Sequence, residues 1–180
     1  MNENQRAAVI LKILRKIYPT TPIPLKHNSK FTLLISVLLS AQCTDLNVNN
    51  VTKNIYPKYN KPKHFIKLGR KKIEKLIKSI GLFRVKAKSI FFLSKQLVEK
   101  HNGKVPRTFE ELEALPGVGH KTASVVMSQG YGYPAFPVDT HIHRLAQRWG
   151  LSNGKNVFQT ERDLKRLFPK KFWNKLHLQI

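Results

Sequence analysis

Apolar residues recur along most of the chain at three- and four-residue intervals, the period of helices that bury one face. Ala8, Ile10, Leu11, Leu14 and Ile17 predict an amphipathic helix over residues 6–18 that stops before Pro19, and Pro22 and Pro24 mark 20–28 as a connector. Residues 30–41 are apolar on almost every side, the pattern of a helix enclosed by others. So apolar a run also suits a strand, but Leu33, Leu34, Leu38 and Leu39 favour a helix of about three turns. Gln42-Cys43-Thr44-Asp45 closes that helix and caps the next, which runs through Val48, Val51 and Ile55 to Pro57. Ile73, Leu76, Ile77 and Ile80 then form an apolar stripe, Gly81-Leu82-Phe83 breaks it with exposed-looking residues, and a long helix resumes over 85–99. Thr108 and Glu111 have the spacing of a capping box for a short helix that enters Pro116-Gly117-Val118-Gly119. Residues 121–129 are helical up to Gly130, and 131–138, with Gly132, Pro134 and Pro137, are irregular. Asp139 is placed as the N-cap of a helix whose Ile142, Leu145, Ala146 and Trp149 share a face, and two helices follow over 155–168 and 172–180. No strand pattern or repeat interrupts this series, so the expected fold is all-α, with about ten helices.

Composition changes that picture mainly through charge. With 180 residues, 41% hydrophobic and 24% charged, the chain is in the globular range and long enough for one domain or two small ones. Thirty-three Lys+Arg against ten Asp+Glu give a net charge of +23 and a pI near 10.4, which points to a polyanionic partner, most often nucleic acid. Anionic membrane surfaces, a ribosomal location and a general basic bias are the competing readings. Between Lys58 and Lys88 Glu74 is the one acid, and the apolar stripe beneath the lysines predicts a basic face on folded helices, not a disordered tail. Cys43 is the single cysteine, so these residues hold no internal disulfide or cysteine-based metal cluster, which fits a reducing compartment. The N-terminus lacks a secretory pattern and the longest apolar run is too short to span a bilayer. The expectation is a soluble, cytoplasmic protein with no membrane partner.

The candidate chemistry lies in Leu115-Pro-Gly-Val-Gly-His-Lys-Thr-Ala123 and in Val138-Asp-Thr-His141. Two glycines at a turn between helices let backbone N–H groups face outward to an anion, and the helix that follows adds a positive dipole end. A plain helix–helix connector is the competing reading of the turn. Lys121, in a polycationic and partly buried surrounding at a helix start, is expected to lose its proton more readily than an ordinary lysine and so to act as a nucleophilic amine. It could equally be one more solvated lysine. Asp139 reads as an ordinary N-cap, and a carboxylate in a basic groove also suits proton transfer or the stabilisation of positive charge on a sugar. His141 and His143 lack the carboxylate or cysteine neighbours of a metal site, and no metal is expected.

Leu38-Leu-Ser-Ala-Gln42-Cys-Thr-Asp45, Ile80-Gly-Leu82, Leu115-Pro-Gly-Val-Gly-His-Lys121-Thr-Ala and Val138-Asp139-Thr-His-Ile, in that order and spacing, resemble the endonuclease III family of helix-hairpin-helix DNA glycosylases. The resemblance covers nearly the whole chain. It implies a two-lobed all-α fold, with a DNA groove between a central lobe over 28–134 and a second lobe made of 1–27 and 135–180. It also implies a monomeric, nucleoid-associated base excision repair enzyme whose partner is double-stranded DNA carrying damaged pyrimidines or abasic sites. Such an enzyme removes oxidised pyrimidines as an N-glycosylase and nicks the abasic site by β-elimination. Lys121 falls on the family's Schiff-base nucleophile and Asp139 on its partner carboxylate. Leu115, Gly117, Val118 and Gly119 fall on the hairpin that holds the phosphate backbone, with Thr122 and His141 also on the DNA side. Gln42 and Leu82 fall where side chains fill the stack vacated by a flipped nucleotide, a step needed because the glycosidic carbon is out of reach in a stacked duplex.

The family usually carries four cysteines that bind a [4Fe-4S] cluster beyond the position of Ile180. No cofactor is therefore expected within these residues, and a cluster only if a cysteine segment follows Ile180. Without that segment the second lobe is expected to be incomplete. The alternative function is a catalytically impaired or non-catalytic DNA-binding fragment. An adenine-mismatch glycosylase is a weaker reading, because that branch lacks the lysine that Lys121 supplies.

Overall fold

A computed structural model describes all residues, 1–180, and its regular secondary structure is all helix, without strands. Ten α-helices follow in order: α1 Glu3–Ile17, α2 Lys30–Ser40, α3 Asp45–Thr52, α4 Pro62–Leu76, α5 Phe83–His101, α6 Phe109–Glu113, α7 His120–Val125, α8 Thr140–Arg148, α9 Val157–Leu167 and α10 Trp173–Gln179. The all-α expectation holds. No helix is long and apolar enough to cross a membrane.

The chain forms two compact units, one of residues 24–126 and one of residues 1–23 with 127–180. Their junctions, after residues 23 and 126, lie before the 27/28 and 134/135 positions read from the sequence. The second junction falls where α7 widens into a π-helical turn, Val126–Gly130.

In the 24–126 unit α2 is the enclosed helix that its sequence predicts, with every residue from Phe31 to Leu39 buried. Ser29 caps it, accepting from the Thr32 N–H while the Thr32 hydroxyl accepts from the Ser29 N–H. Its buried polar groups are satisfied. Tyr56 donates its phenol to the Thr32 carbonyl at 3.0 Å and pairs with the Ser36 hydroxyl at 2.6 Å, and burial pushes that phenol above its usual value of 10.0. Pro62 starts α4 where no N–H is needed, and Gly69, with φ +72, breaks the helix into two segments. Ile73, Ile77 and Ile80 are buried, whereas Leu76 is exposed, a departure from the regular period read in the sequence.

The other unit joins both chain ends around Ala7, Leu14, Phe136, Val138, Ile142, Ala146, Leu151, Leu164, Phe168 and Leu176. α10 closes α1: Gln179 donates its amide to the Tyr18 carbonyl at 2.7 Å and the Leu14 carbonyl at 3.3 Å, supplying donors to a helix end that lacks them. Arg6 binds the Gly150 carbonyl at 2.7 Å, which ties α1 to the end of α8.

Candidate active site

α6 and α7 form the expected hairpin. Its turn is closed by the Val118 N–H donating to the Leu115 carbonyl at 3.1 Å, with Pro116 and Gly117 between them. Proline fixes the first central position and Gly117, at φ +78, takes the left-handed second one, the pattern of a type II turn. Glycine is required there twice over. An added Cβ would lie 2.7 Å from the Ser89 Cβ and 3.2 Å from a Leu38 methyl, so the turn is pressed against α5 and α2. Leu115 and Val118 are buried and anchor it. Gly119, the N-cap of α7, has ordinary extended backbone and open space where a Cβ would go. The N–H groups of Leu115 and Val118 are used within the hairpin; those of Gly117 and Gly119 donate to no group of the chain. Exposed amides without a partner in the chain, one of them beside open space at Gly119, are what an anion-binding turn needs.

A cross-link that the sequence did not reveal holds the hairpin's two helices. His120 Nδ1 lies 2.8 Å from Glu113 Oε1, and its ring stacks on Phe109 at 5.9 Å. Thr108 caps α6 at the Glu111 N–H, but its hydroxyl donates to the Glu111 carboxylate at 2.8 Å, so the capping box is only half formed.

Lys121 is exposed on the first turn of α7, not partly buried as its sequence setting suggested, and Thr122 beside it is half-buried. Its charge is felt by Asp45 in the first turn of α3: burial pushes the Asp45 carboxyl up, and the Lys121 ammonium pulls it back down. In the sequence Asp45 shows only as part of a cap. Nothing in the spacing of residues 45 and 121 could have paired them.

Gln42 and Leu82 lie in neighbouring loops of the same unit. Both are exposed, and both have left-handed backbone, at φ 54 and φ 58. Leu82, 57% exposed, is not tucked into the core. Asp139 is the N-cap of α8, accepting from the Ile142 N–H at 2.8 Å, and is half-buried. His141 is exposed one turn later, with Nδ1 3.2 Å from Arg144. Asp139 and His141 belong to the 1–23 and 127–180 unit, and the other candidate residues to the 24–126 unit.

A [4Fe-4S] cluster needs four thiolates. Cys43 is alone, its sulfur accepting from the Asn47 amide at 3.3 Å, and no three His, Cys, Asp or Glu side chains gather in one place. These residues do not fit the cluster.

Residues 35–170 match the HhH-GPD superfamily of base excision DNA repair proteins. Endonuclease III of Bacillus subtilis (strain 168) is 44% identical over 91% of this chain and 75% of its own length, and that of Escherichia coli (strain K12) is 44% identical over 96% and 81%. The chain belongs to the endonuclease III family of this superfamily. Among solved structures, a trapped endonuclease III–DNA covalent intermediate matches 99% of the chain and 84% of its own, at 42% identity and a TM-score of 0.95. A thermostable thymine-DNA glycosylase, at 24% identity and a TM-score of 0.87, shares the fold. The helix-hairpin-helix of α6 and α7 is thus the motif that gives the superfamily its name, in a base excision DNA repair glycosylase.

Proposed function

We propose that the chain is a bifunctional DNA N-glycosylase and abasic-site lyase acting on double-stranded DNA with oxidised pyrimidines or abasic sites. The observation that carries this reading is Lys121, an exposed amine two residues beyond the unpartnered amides of the exposed Gly117–Gly119 turn. A phosphate held on those amides fixes the register of the duplex without reading its sequence. The amine then has a deoxyribose within its neighbourhood. Once the ammonium has given up a proton, its lone pair attacks C1′, and the base leaves with the electrons of the glycosidic bond and takes up a proton. Ring opening gives a protonated Schiff base on Lys121. Loss of a C2′ proton sends its electron pair into a C2′–C3′ double bond, and the 3′ phosphate departs with the C3′–O electrons. That is β-elimination, and it leaves a nick 3′ to the abasic site; water then adds at C1′ and the amine departs, which frees Lys121 and leaves the unsaturated sugar as an aldehyde. Asp139 serves as the carboxylate that takes a proton or stabilises the developing sugar cation.

That a relative was captured as a covalent intermediate with DNA supports the same chemistry here. No step passes through a metal or cluster, and the active species is a monomer. The test is strand nicking on an abasic-site duplex. The wild type cleaves and leaves an unsaturated aldehyde on the 3′ end, whereas Lys121→Gln loses about 100-fold or more of the rate. Salt-dependent binding without any nicking by the wild type would instead assign a non-catalytic DNA-binding role.

A further inference from the structure

Gln42 and Leu82 have an unusual property in common: both are non-glycine residues at loop tips in the left-handed region, at φ 54 and φ 58, and both are exposed. Such a conformation costs roughly 1 kcal/mol or more and persists only where the surroundings hold it. One residue bonds on both sides, with its backbone at Leu82 and its side chain beside Gln42. Lys86, in the first turn of α5, lies among the lysines read from the sequence as a solvated face, yet it is only 5% exposed. Its backbone N–H donates to the Leu82 carbonyl at 3.0 Å. Its ammonium crosses to the end of α2 and donates to the Leu39 carbonyl at 2.9 Å and the Ala41 carbonyl at 2.6 Å, on the peptide next to Gln42.

The carbonyls at a helix C-terminus need donors, and a buried cation supplies two. A lysine with its amine in a pocket gives up hydration, and burial does pull its proton affinity down. A simple end cap does not need that cost, since water or a glycine turn would serve. Two further ties run between the same loops. The Asn47 amide donates to the Ser79 carbonyl at 3.1 Å and to Cys43 Sγ at 3.3 Å, and Gly81 lies where a Cβ would sit 3.5 Å from the Gln42 carbonyl.

We propose that Lys86 is a positioning residue whose side chain pins the Gln42 loop to the start of α5, the helix that Leu82 caps, and so holds Gln42 and Leu82 as one rigid pair of inserting side chains; extrusion of a paired nucleotide depends on it while the sugar chemistry at Lys121 does not. This rests on the glycosylase reading above. The energetics fit: a wedge must hold its shape against a few kcal/mol of unstacking, whereas an abasic site in a single strand has no pair or stack to break.

The experiment compares Lys86→Met, which keeps length and fills the pocket but removes the donors, with the wild type. Three readouts are taken: single-turnover excision of an oxidised pyrimidine in a duplex, fluorescence of a 2-aminopurine placed beside the lesion, and borohydride trapping on a single-stranded abasic oligonucleotide. Expected is a loss of about tenfold to 100-fold in duplex excision, a smaller 2-aminopurine rise, and trapping changed by about twofold at most. Asn47→Ala, which cuts a separate tie between the same loops and leaves the buried pocket filled, is expected to show the same split at about threefold, and Lys86→Arg, which keeps a cationic donor at the α2 end, is expected to retain most of the duplex excision. If Lys86→Met fails to fold, a Lys86→Arg that loses duplex excision and single-strand trapping equally overturns the proposal. Equal losses in excision and single-strand trapping would overturn the proposal and make Lys86 a general stabiliser; unchanged duplex excision in both Lys86→Met and Asn47→Ala would also overturn it. A wild type that neither excises nor traps would overturn the glycosylase reading itself, and the proposal with it.

Discussion

At the scale of single residues, the two glycines of the hairpin separate folding from binding. Gly117 carries a positive φ and presses against Ser89 and Leu38, so Gly117→Ala is expected to lower stability by about 2–4 kcal/mol, measured by urea unfolding. Gly119 has ordinary backbone and open space, so Gly119→Ala should cost less than about 1 kcal/mol of stability. Its new methyl would stand where a phosphate approaches the free amide. The expected signature is a duplex affinity about tenfold weaker in a protein that still unfolds like the wild type. If Gly119→Ala binds DNA as tightly as the wild type, the amide is not a phosphate ligand.

At the scale of helices, the contacts that fix α2 are polar as well as apolar. Tyr56, bonded to Thr32 and Ser36 across the α2–α3 connection, has its phenol raised by burial, so the folded state holds that proton more tightly than the unfolded one. Its contribution is therefore full below pH 10.0 and is lost as pH rises above that value. Tyr56→Phe should cost about 1–2 kcal/mol at neutral pH, and the gap between variant and wild type in thermal unfolding should narrow above about pH 10. A gap that widens in alkali would refute the assignment. The pattern along the chain was enough to locate α2, the N-cap role of Asp139 and the Pro–Gly turn, because each follows from neighbours within about four residues. It did not show Lys86 beneath Gln42, the reach of Asp45 to Lys121, or the exposure of Leu76. Each of these depends on which helix lies alongside, or on where a helix ends, as α4 does at Leu76, and a periodic pattern carries only the face that a helix turns inward. Lysine 86 looked like its neighbours because composition records a charge and not the carbonyls waiting for it.

At the scale of the whole molecule, the excess of +23 is far more than two hairpin amides require, and it sets the salt response of binding. If about four phosphates are neutralised, affinity for undamaged duplex should fall about 100-fold between roughly 50 and 200 mM salt, with a linear log–log slope near −4. A flat response in a fluorescence anisotropy titration would show that the charge serves something other than DNA. Family membership and the shared fold place the chain in base excision repair, and the chemistry proposed for it converges on one nitrogen. The most direct test is therefore borohydride trapping on an abasic-site duplex, followed by digestion and mass mapping of the adduct. The expected result is a sugar mass on the peptide containing Lys121 and no adduct in Lys121→Gln; an adduct on another lysine, or undiminished trapping in that variant, would contradict the assignment.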